Sequence, residues 1–158
     1  MTQRLNYFGA APKAVEPLLG FAKAEDLAAA GLEPALIELV KIRASQINGC
    51  ANCLHMHTAD ARKAGEREER IYLLPAWRES QMYTPRERAA LAWTEALTRL
   101  PETAAPDEDF NGLKAVFSDE EIVWLTMLVA AINSWNRIAV GFRAVHPNDK
   151  HLAVKEAA

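Results

Sequence analysis

The chain has 158 residues, half of them hydrophobic and a quarter charged, with a net charge of −3 and a pI near 5.8. This length suits a single domain with a self-sufficient core, and the scattered lysines and arginines do not form the basic patch of a nucleic-acid-binding protein. The apolar run 122–132 is too short to span a bilayer, and residues 1–12 lack the apolar segment of a secretory signal. We therefore expect one domain, residues 1–158, in the cytoplasm, with no membrane or nucleic-acid partner.

Every periodic segment of the chain has the spacing of an α-helix, which predicts an all-α fold, a single-domain bundle of about six to seven helices. Residues 1–12 are expected to form an extended N-terminal arm and residues 147–158 a C-terminal tail. The predicted helices of the first half span about residues 15–30, 34–47 and 50–65. Pro34 suits a first helical turn, and the apolar residues that follow it cover more than one helix face, so we expect this second helix to be deeply buried.

Two capping boxes mark helix starts in the second half of the chain. Thr84 with Glu87, and Ser118 with Glu121, have the spacing at which side chain and backbone cap each other. The predicted helices of this half span about residues 85–100, 107–116 and 119–142. The proline-rich stretch 101–106 between the first two of them is expected to be a loop.

Both cysteines of the chain, Cys50 and Cys53, lie in one C-x-x-C motif at the start of the third predicted helix. In a reducing compartment such a pair is more often catalytic or metal-binding than structural. Because the two residues share the first helical turn, their thiols face one side, at a separation that a disulfide tolerates. The unpaired N–H groups of a helix start favour a thiolate, and His57, one turn after Cys53, can accept its proton.

Glu38 is predicted to complete this group. If the second and third helices form an antiparallel pair that turns near Asn48, Glu38 and His57 are about equally far from the turn and lie side by side. A carboxylate at that position would orient the imidazole and raise its basicity. The sequence thus predicts an acid, a base and a thiol in a line.

This stretch resembles the core motif of the alkylhydroperoxidase D and carboxymuconolactone decarboxylase superfamily. The peroxidase branch has a glutamate, a C-x-x-C pair and a histidine in its active site, and this chain has all four residues with the same spacing: Glu38, Cys50, Cys53 and His57. The last predicted helix is also similar, in the run Asn133, Trp135, Asn136 and Arg137. The chain departs from the family's best-known peroxidase at Asn52, where that enzyme has a histidine. Decarboxylases of the superfamily lack the cysteine pair.

The resemblance implies an alkylhydroperoxidase D-like helical bundle and a thiol-dependent hydroperoxide reductase. Cys53, deprotonated by His57 with help from Glu38, would reduce the peroxide and become a sulfenic acid. Cys50 would then condense with it to a disulfide, which an external dithiol would reduce again. In relatives this reductant is a lipoylated protein, and the assembly is a trimer or hexamer. The cycle needs no cofactor and no bound metal.

Two other functions stay open on the sequence alone. The four motif residues could instead hold zinc in a binding or redox-sensing module without turnover, although a lone helical C-x-x-C lacks the usual second ligand pair. The protein could also be a general disulfide oxidoreductase that acts on protein thiols. A thioredoxin fold is disfavoured for that role, since the chain has no βαβ pattern.

Several other polar and aromatic residues have structural interpretations. His55 points away from the motif and is expected at the surface or an interface, while His146 and His151 are expected in solvent. We expect the tryptophans at core spacing to serve packing or subunit contacts: Trp93, Trp124 and Trp135. Wide hydrophobic helix faces and four tryptophans predict a homo-oligomer.

Three polar residues interrupt the last apolar helix: Asn133, Asn136 and Arg137. They are expected to form a buried polar network that braces the site. Arg137 could instead pair with an acid such as Glu38 or Glu95, and the sequence does not decide between these arrangements.

Overall fold

The computed structural model describes residues 2–146, which contain helices and no β-strand. In chain order the α-helices are α1 (Tyr7–Ala10), α2 (Pro12–Leu19), α3 (Ala24–Ala29), α4 (Pro34–Asn48), α5 (Ala51–Lys63), α6 (Glu68–Leu73), α7 (Pro85–Thr98), α8 (Leu100–Thr103), α9 (Asp107–Lys114) and α10 (Asp119–Phe142). A 3-10 turn, Leu74–Ala76, follows α6. Six of these helices have eight residues or more, so the predicted all-α bundle is confirmed.

Helix α4 occupies the centre of the bundle and packs against α5, α7 and α10. Its apolar side chains point in several directions and are buried, as predicted: Leu36, Ile37, Leu39, Val40 and Ile42. One core cluster joins α4 to α3, α7, α9 and α10, and a second joins it to α5, α6 and the 3-10 turn. Because α4 is enclosed on most sides, the loop that follows it is held in a fixed position.

Both predicted capping boxes are present. The Thr84 hydroxyl accepts the Glu87 N–H at 3.2 Å, and the Glu87 carboxylate accepts the Thr84 N–H at 2.8 Å. Ser118 and Glu121 repeat the arrangement at 3.3 and 2.7 Å. Each box provides partners for two backbone N–H groups that would otherwise be unpaired at the helix start. Helices α7 and α10 therefore begin where the sequence predicts.

The N-terminal region differs from the prediction. The Asn6 side chain caps α1 by accepting the Gly9 N–H at 3.1 Å, and Pro12 begins α2, so the expected extended arm is wrong from Tyr7 onward. The helix predicted over residues 15–30 is two helices, which separate where Ala22 has a φ of 55°. The break places Phe21 and Ala22 in the wall of a cavity described below.

The middle of the chain shows two further differences. The sequence analysis missed α6 and the 3-10 turn, which bury Ile71 and Leu74 in the second core cluster. The proline-rich stretch is not wholly a loop, because Pro101 fits the first turn of α8, where its missing N–H costs nothing. His151 and the predicted tail, residues 147–158, lie outside the described residues.

Within residues 2–146, α10 is the one helix whose length and apolar composition would suffice to cross a bilayer. In this fold it packs against α4 and α7 instead. Its buried residues include Asn136 as well as apolar side chains.

Candidate active site

The turn between α4 and α5 sets the position of the two cysteines. Gly49 ends α4 with a φ of 65°, a left-handed conformation that favours glycine. The chain reverses there, and the Cys50 N–H donates to the Ser45 carbonyl at 3.0 Å. Cys50 then takes the N-cap position of α5, where its Sγ accepts the Cys53 N–H at 3.3 Å. The sulfur thus does what a serine oxygen does in an ordinary N-cap.

The two cysteines form a disulfide with a Cα–Cα distance of 5.4 Å, within the range that such bonds require. Cys50 is 1% exposed and Cys53 is 2% exposed. Both pack in a small apolar cluster with Ala44, Ile132 and Ala139. A reagent can therefore reach either sulfur only through a cavity, and not across an open surface.

Glu38 and His57 meet across the antiparallel α4–α5 pair, as the spacing predicts. Oε2 of Glu38 lies 2.9 Å from Nδ1 of His57, and both side chains are largely buried. The second carboxylate oxygen accepts a hydrogen bond of 2.8 Å from Nζ of Lys41, one turn further along α4. Sequence reasoning missed Lys41, although the i, i+3 spacing of opposite charges on a helix could have indicated it.

The surroundings of Glu38 keep it ionised. Burial on its own raises the pKa of the Glu38 carboxyl, but the hydrogen bonds from His57 and Lys41 and the charge of Lys41 outweigh burial and lower that pKa below its usual value. The carboxylate therefore holds Nδ1 of His57 as a hydrogen-bond donor. Nε2 is the imidazole nitrogen that remains for proton transfer.

A cavity of about 450 Å³ opens onto Cys53 and His57, but not onto Cys50. Its walls come from α1, α2, the α2–α3 turn, α4, α5 and α10. They are mostly aromatic and aliphatic side chains, among them Tyr7, Phe8, Leu19, Phe21, Met56 and Trp135. We call this space the apolar cavity. Trp135, for which packing or subunit contacts are predicted, is half-buried and also forms part of this wall.

A second cavity, of about 400 Å³, opens onto Cys50 but not onto Cys53. It lies between the start of α5 and the C-terminal end of α10, and its charged lining residues are Arg4 and Arg143. We call it the arginine cavity. Asn52 and Ala139 line both cavities, so together with the disulfide they separate one cavity from the other.

Helix α10 braces the Gly49 turn through a chain of side-chain amides. Asn136 is fully buried and donates to the Ser45 hydroxyl at 3.0 Å, and its Oδ1 accepts from the Asn48 amide at 2.9 Å. The Asn48 amide also donates to Oδ1 of Asn133 at 3.0 Å, and Asn133 donates to Thr98 of α7 at 3.0 Å. The predicted polar network of Asn133 and Asn136 is present beside the cysteines.

Arg137 lies at the exposed edge of this network. It donates to the carbonyl and to the side-chain oxygen of Asn133, at 2.9 and 3.0 Å. The alternative pairing with Glu38 or Glu95 does not occur, because both acids have other partners. Glu95 accepts a hydrogen bond of 2.7 Å from Nε of the buried Arg43.

His55 is half-buried, and its ring stacks on that of His146 with the centroids 4.6 Å apart. Neither histidine lines the apolar cavity. His55 therefore provides a natural comparison for His57, since the two are neighbours on the same helix.

The zinc alternative finds little support in this geometry. The two cysteines are bonded to each other, and the residues whose ligand atoms lie within 4.8 Å of one another are Glu38, His57 and Asp60. Asp60 is exposed and pairs with Lys63 at 3.3 Å, and Glu38 pairs with Lys41. Neither cysteine belongs to this group, so within residues 2–146 the four residues proposed as zinc ligands are not brought together.

A sequence profile of the carboxymuconolactone decarboxylase family matches residues 12–96, a segment that contains all four motif residues. The chain belongs to the carboxymuconolactone decarboxylase family. One relative, the uncharacterized protein YdfG of Bacillus subtilis, is 41% identical over 140 residues, which cover 89% of this chain and 94% of YdfG.

Solved structures of similar proteins agree with this assignment. A protein of unknown function from Agrobacterium tumefaciens, described as a candidate antioxidant defence protein AhpD, is 49% identical with a TM-score of 0.86 and covers 92% of this chain and 99% of its own. The debrominase Bmp8 is 19% identical with a TM-score of 0.77, covering 94% of this chain and 79% of its own. The likeness to Bmp8 concerns the fold alone. The resemblance to the alkylhydroperoxidase D and carboxymuconolactone decarboxylase superfamily is confirmed.

Proposed function

We propose that this member of the carboxymuconolactone decarboxylase family is a thiol-dependent reductase of organic hydroperoxides, with Cys53 as the attacking thiol and Cys50 as the resolving thiol. The main support is that Cys53 and His57 line the same cavity, from which Cys50 is absent. A hydroperoxide bound there would meet one sulfur and one base. The antioxidant description of the Agrobacterium relative is consistent with this chemistry.

The first half of the cycle uses the proton chain of Glu38 and His57. In the reduced protein, Nε2 of His57 accepts the proton of Cys53, and the Glu38 carboxylate stabilises the imidazolium. The thiolate attacks the terminal peroxide oxygen, and the O–O bond breaks. The leaving alkoxide takes the proton from His57 and departs as an alcohol. Cys53 is left as a sulfenic acid.

Cys50 completes the oxidation. Its sulfur attacks the sulfur of the Cys53 sulfenic acid, the S–O bond breaks, and the hydroxide leaves as water with the proton of the Cys50 thiol. The product is the disulfide, whose Cα–Cα distance of 5.4 Å is compatible with the N-cap geometry of α5. An external dithiol then returns two electrons to the pair.

The lining of the apolar cavity indicates the substrate class. Aromatic and aliphatic walls stabilise a bound alkyl or aryl group by removing it from water. Hydrogen peroxide gains nothing from such walls. We therefore propose that hydroperoxides with an apolar organic group are preferred substrates.

The burial of the two cysteines argues against the alternative of a general disulfide oxidoreductase. A protein disulfide cannot reach sulfurs that are 1% and 2% exposed without opening the helix pair. We expect this protein to reduce insulin poorly in an assay where it consumes cumene hydroperoxide readily. We further propose that it works as a homo-oligomer in a compartment with reduced thiols.

One experiment tests the proposed function directly. The reduced protein is treated with one equivalent of cumene hydroperoxide and examined by mass spectrometry, where we expect the loss of two hydrogens within residues 50–53. Cys53→Ser should abolish peroxide consumption, whereas Cys50→Ser should stop at a sulfenic acid that dimedone traps. Equal peroxide consumption by the two variants would reject the assignment of roles.

A further inference from the structure

We propose that the two cavities serve the two halves of the cycle, and that electrons enter through the arginine cavity from a dithiol bearing negative charge, which attacks Cys50. This inference rests on the proposed function in so far as the cysteine pair is reduced and oxidised in turn. It adds the entry route, the sulfur that is attacked and the charge of the reductant.

The two cysteines open into different cavities. The apolar cavity is lined by Cys53 and the arginine cavity by Cys50, and neither cavity is lined by both cysteines. A thiolate attacks a disulfide sulfur in line with the bond that breaks. A nucleophile in the arginine cavity has access to Cys50 and not to Cys53.

The arginine cavity is lined by positively charged side chains. Among residues 2–146, the charged residues that line the arginine cavity are Arg4 and Arg143, and no acidic residue of that range lines it, although the net charge of the chain is −3. Arg4 is held in place, since its N–H donates to the Phe142 carbonyl at 2.9 Å and its guanidinium to the Gly141 carbonyl at 3.1 Å. Within residues 2–146, neither arginine takes part in an ion pair. Two such guanidinium groups favour the binding of an anionic molecule in this cavity.

The apolar cavity offers no comparable attraction for an anion. The basic residues that line it are Lys41, which is paired with Glu38, and His57, which is hydrogen-bonded to the same carboxylate. An anionic dithiol would lose hydration there and gain little in return. The two cavities thus select different molecules, and a bound alcohol product need not leave before the reductant arrives.

The reduction then balances as follows. One thiol of the reductant gives up its proton to the solvent, and its thiolate attacks Sγ of Cys50, forming a mixed disulfide as the bond between Cys50 and Cys53 breaks. Cys53 is released as a thiolate and takes up one proton from the solvent through His57. The second thiol of the reductant, once deprotonated, attacks the reductant's other sulfur, which is bonded to Cys50 in the mixed disulfide, and Cys50 is released. Two electrons and two protons pass to the protein, and the reductant leaves as a disulfide.

The first test follows reduction of the oxidised protein in the absence of any peroxide. The donors are dihydrolipoate and dihydrolipoamide, which differ in a carboxylate remote from the thiols. We expect dihydrolipoate to reduce the wild-type protein about three to ten times faster at low ionic strength. The double variant Arg4→Gln/Arg143→Gln should lose this preference, and Arg4→Lys/Arg143→Lys should keep most of it.

Arg99→Gln is the matched control, because it removes one positive charge from an exposed residue outside both cavities. It should keep the preference. If both donors reduce the wild-type protein equally fast, or if the glutamine double variant keeps the preference, the proposal is overturned. Neither result depends on peroxide turnover, so it can be told apart from a failure of the proposed function.

The second test asks which sulfur the arginines serve. Reduced wild-type protein and the glutamine double variant are alkylated with iodoacetate and with iodoacetamide, and each cysteine is quantified by fragment-ion mass spectrometry. The ratio of the two rates at one sulfur cancels its intrinsic nucleophilicity. The double variant should lower this ratio about threefold or more at Cys50 and leave it unchanged at Cys53. An equal fall at both sulfurs, or a fall at Cys53 alone, would overturn the proposal.

Discussion

Hydrogen bonds link three side chains near the cysteines: Lys41, Glu38 and His57. Lys41 and His57 each donate to one oxygen of the Glu38 carboxylate, so this acid cannot rotate without losing a charged hydrogen bond. The carboxylate in turn fixes the ring of His57, which lines the apolar cavity with Cys53. If the proposed function holds, the reactivity of Cys53 depends on residues of the neighbouring helix.

Removal of the imidazole should slow the oxidation of Cys53 by hydroperoxide. We expect His57→Ala to lower the single-turnover rate about 10²- to 10⁴-fold at pH 7, the usual range for loss of a general base. The deficit should shrink as the pH passes about 8.5, the ordinary pKa of a thiol, because hydroxide then generates the thiolate. Stopped-flow measurements with cumene hydroperoxide from pH 6 to 10 test this.

His55→Ala serves as the control for that experiment. It removes a neighbouring histidine of α5 that lies outside the apolar cavity. This variant should oxidise at close to the wild-type rate. A deficit in His57→Ala that is the same at every pH would contradict a role in proton transfer.

The ionised state of Glu38 should also appear in the stability of the protein. The fold lowers the pKa of this carboxyl, so between its folded and unfolded pKa values the folded chain binds fewer protons there than the unfolded chain. Stability from this group is therefore complete above about pH 4.3 and is lost as the pH falls through the folded value. We expect Glu38→Gln to lower the free energy of unfolding by about 1 to 3 kcal/mol at pH 7 and by less at pH 3.

Urea unfolding of both proteins at a series of pH values measures this difference. Glu25→Gln removes the same charge from an exposed side chain and controls for net charge. A destabilisation by Glu38→Gln that is as large at pH 3 as at pH 7 would show that the carboxylate charge is not its source.

At the scale of single residues, the sequence correctly predicts that Glu38 and His57 lie side by side. Equal distance from a helix turn is enough to bring Glu38 beside His57, because two antiparallel helices keep register over a few turns. Which cysteine opens into which cavity could not be predicted. That depends on Tyr7, Phe8 and Phe21, which are remote in sequence and reach the site through the path of the N-terminal helices.

Helix α10 contacts the segment that turns at Gly49 through Asn136, which is 88 residues from Asn48 along the chain. Its Asn136 satisfies the hydroxyl of Ser45 and the amide of Asn48, and the Ser45 carbonyl accepts the Cys50 N–H. The network thus connects the last helix to the N-cap of α5. It acts on the cysteines through the backbone, without touching either sulfur.

Loss of this connection should reduce both stability and reactivity. We expect Asn136→Ala to lower the free energy of unfolding by about 1 to 3 kcal/mol, because it removes the buried partner of the Ser45 hydroxyl and one acceptor of the Asn48 amide. The rate of Cys53 oxidation should also fall, and the disulfide should become easier to reduce as the turn loosens. Urea unfolding and titration against a glutathione redox buffer measure the two effects.

Ser134→Ala is the matched control on the same helix, since its hydroxyl bonds only the Ala130 carbonyl one turn back. It should leave stability and redox potential close to wild type. If Asn136→Ala lowers stability but leaves the redox potential unchanged, the network supports the fold and does not position the cysteines.

At the scale of elements, prediction succeeds where local chemistry decides. The capping boxes fix the starts of α7 and α10 by groups within four residues of one another. It fails at the α2–α3 break and at α6, where tertiary packing of Phe21, Ile71 and Leu74 overrides a local signal that is continuous or weak.

The whole molecule leaves many large apolar side chains in solvent. Examples are Leu19, Tyr72 and Val123, which are 58%, 70% and 60% exposed. On α10, Val123 and Met127 are one turn apart on the outer face and both are exposed. Exposed apolar residues grouped on one face are typical of surfaces shared between subunits.

We therefore expect the purified protein to be a homo-oligomer, such as a trimer or hexamer of the 17.5 kDa chain. Light scattering coupled to size exclusion measures the mass directly, and Val123→Glu/Met127→Glu should lower it if the outer face of α10 takes part. Glu120→Gln changes the charge of a nearby exposed residue without adding a charge to the apolar face, and should leave the mass unchanged. A wild-type mass of one chain across the micromolar range would contradict the prediction.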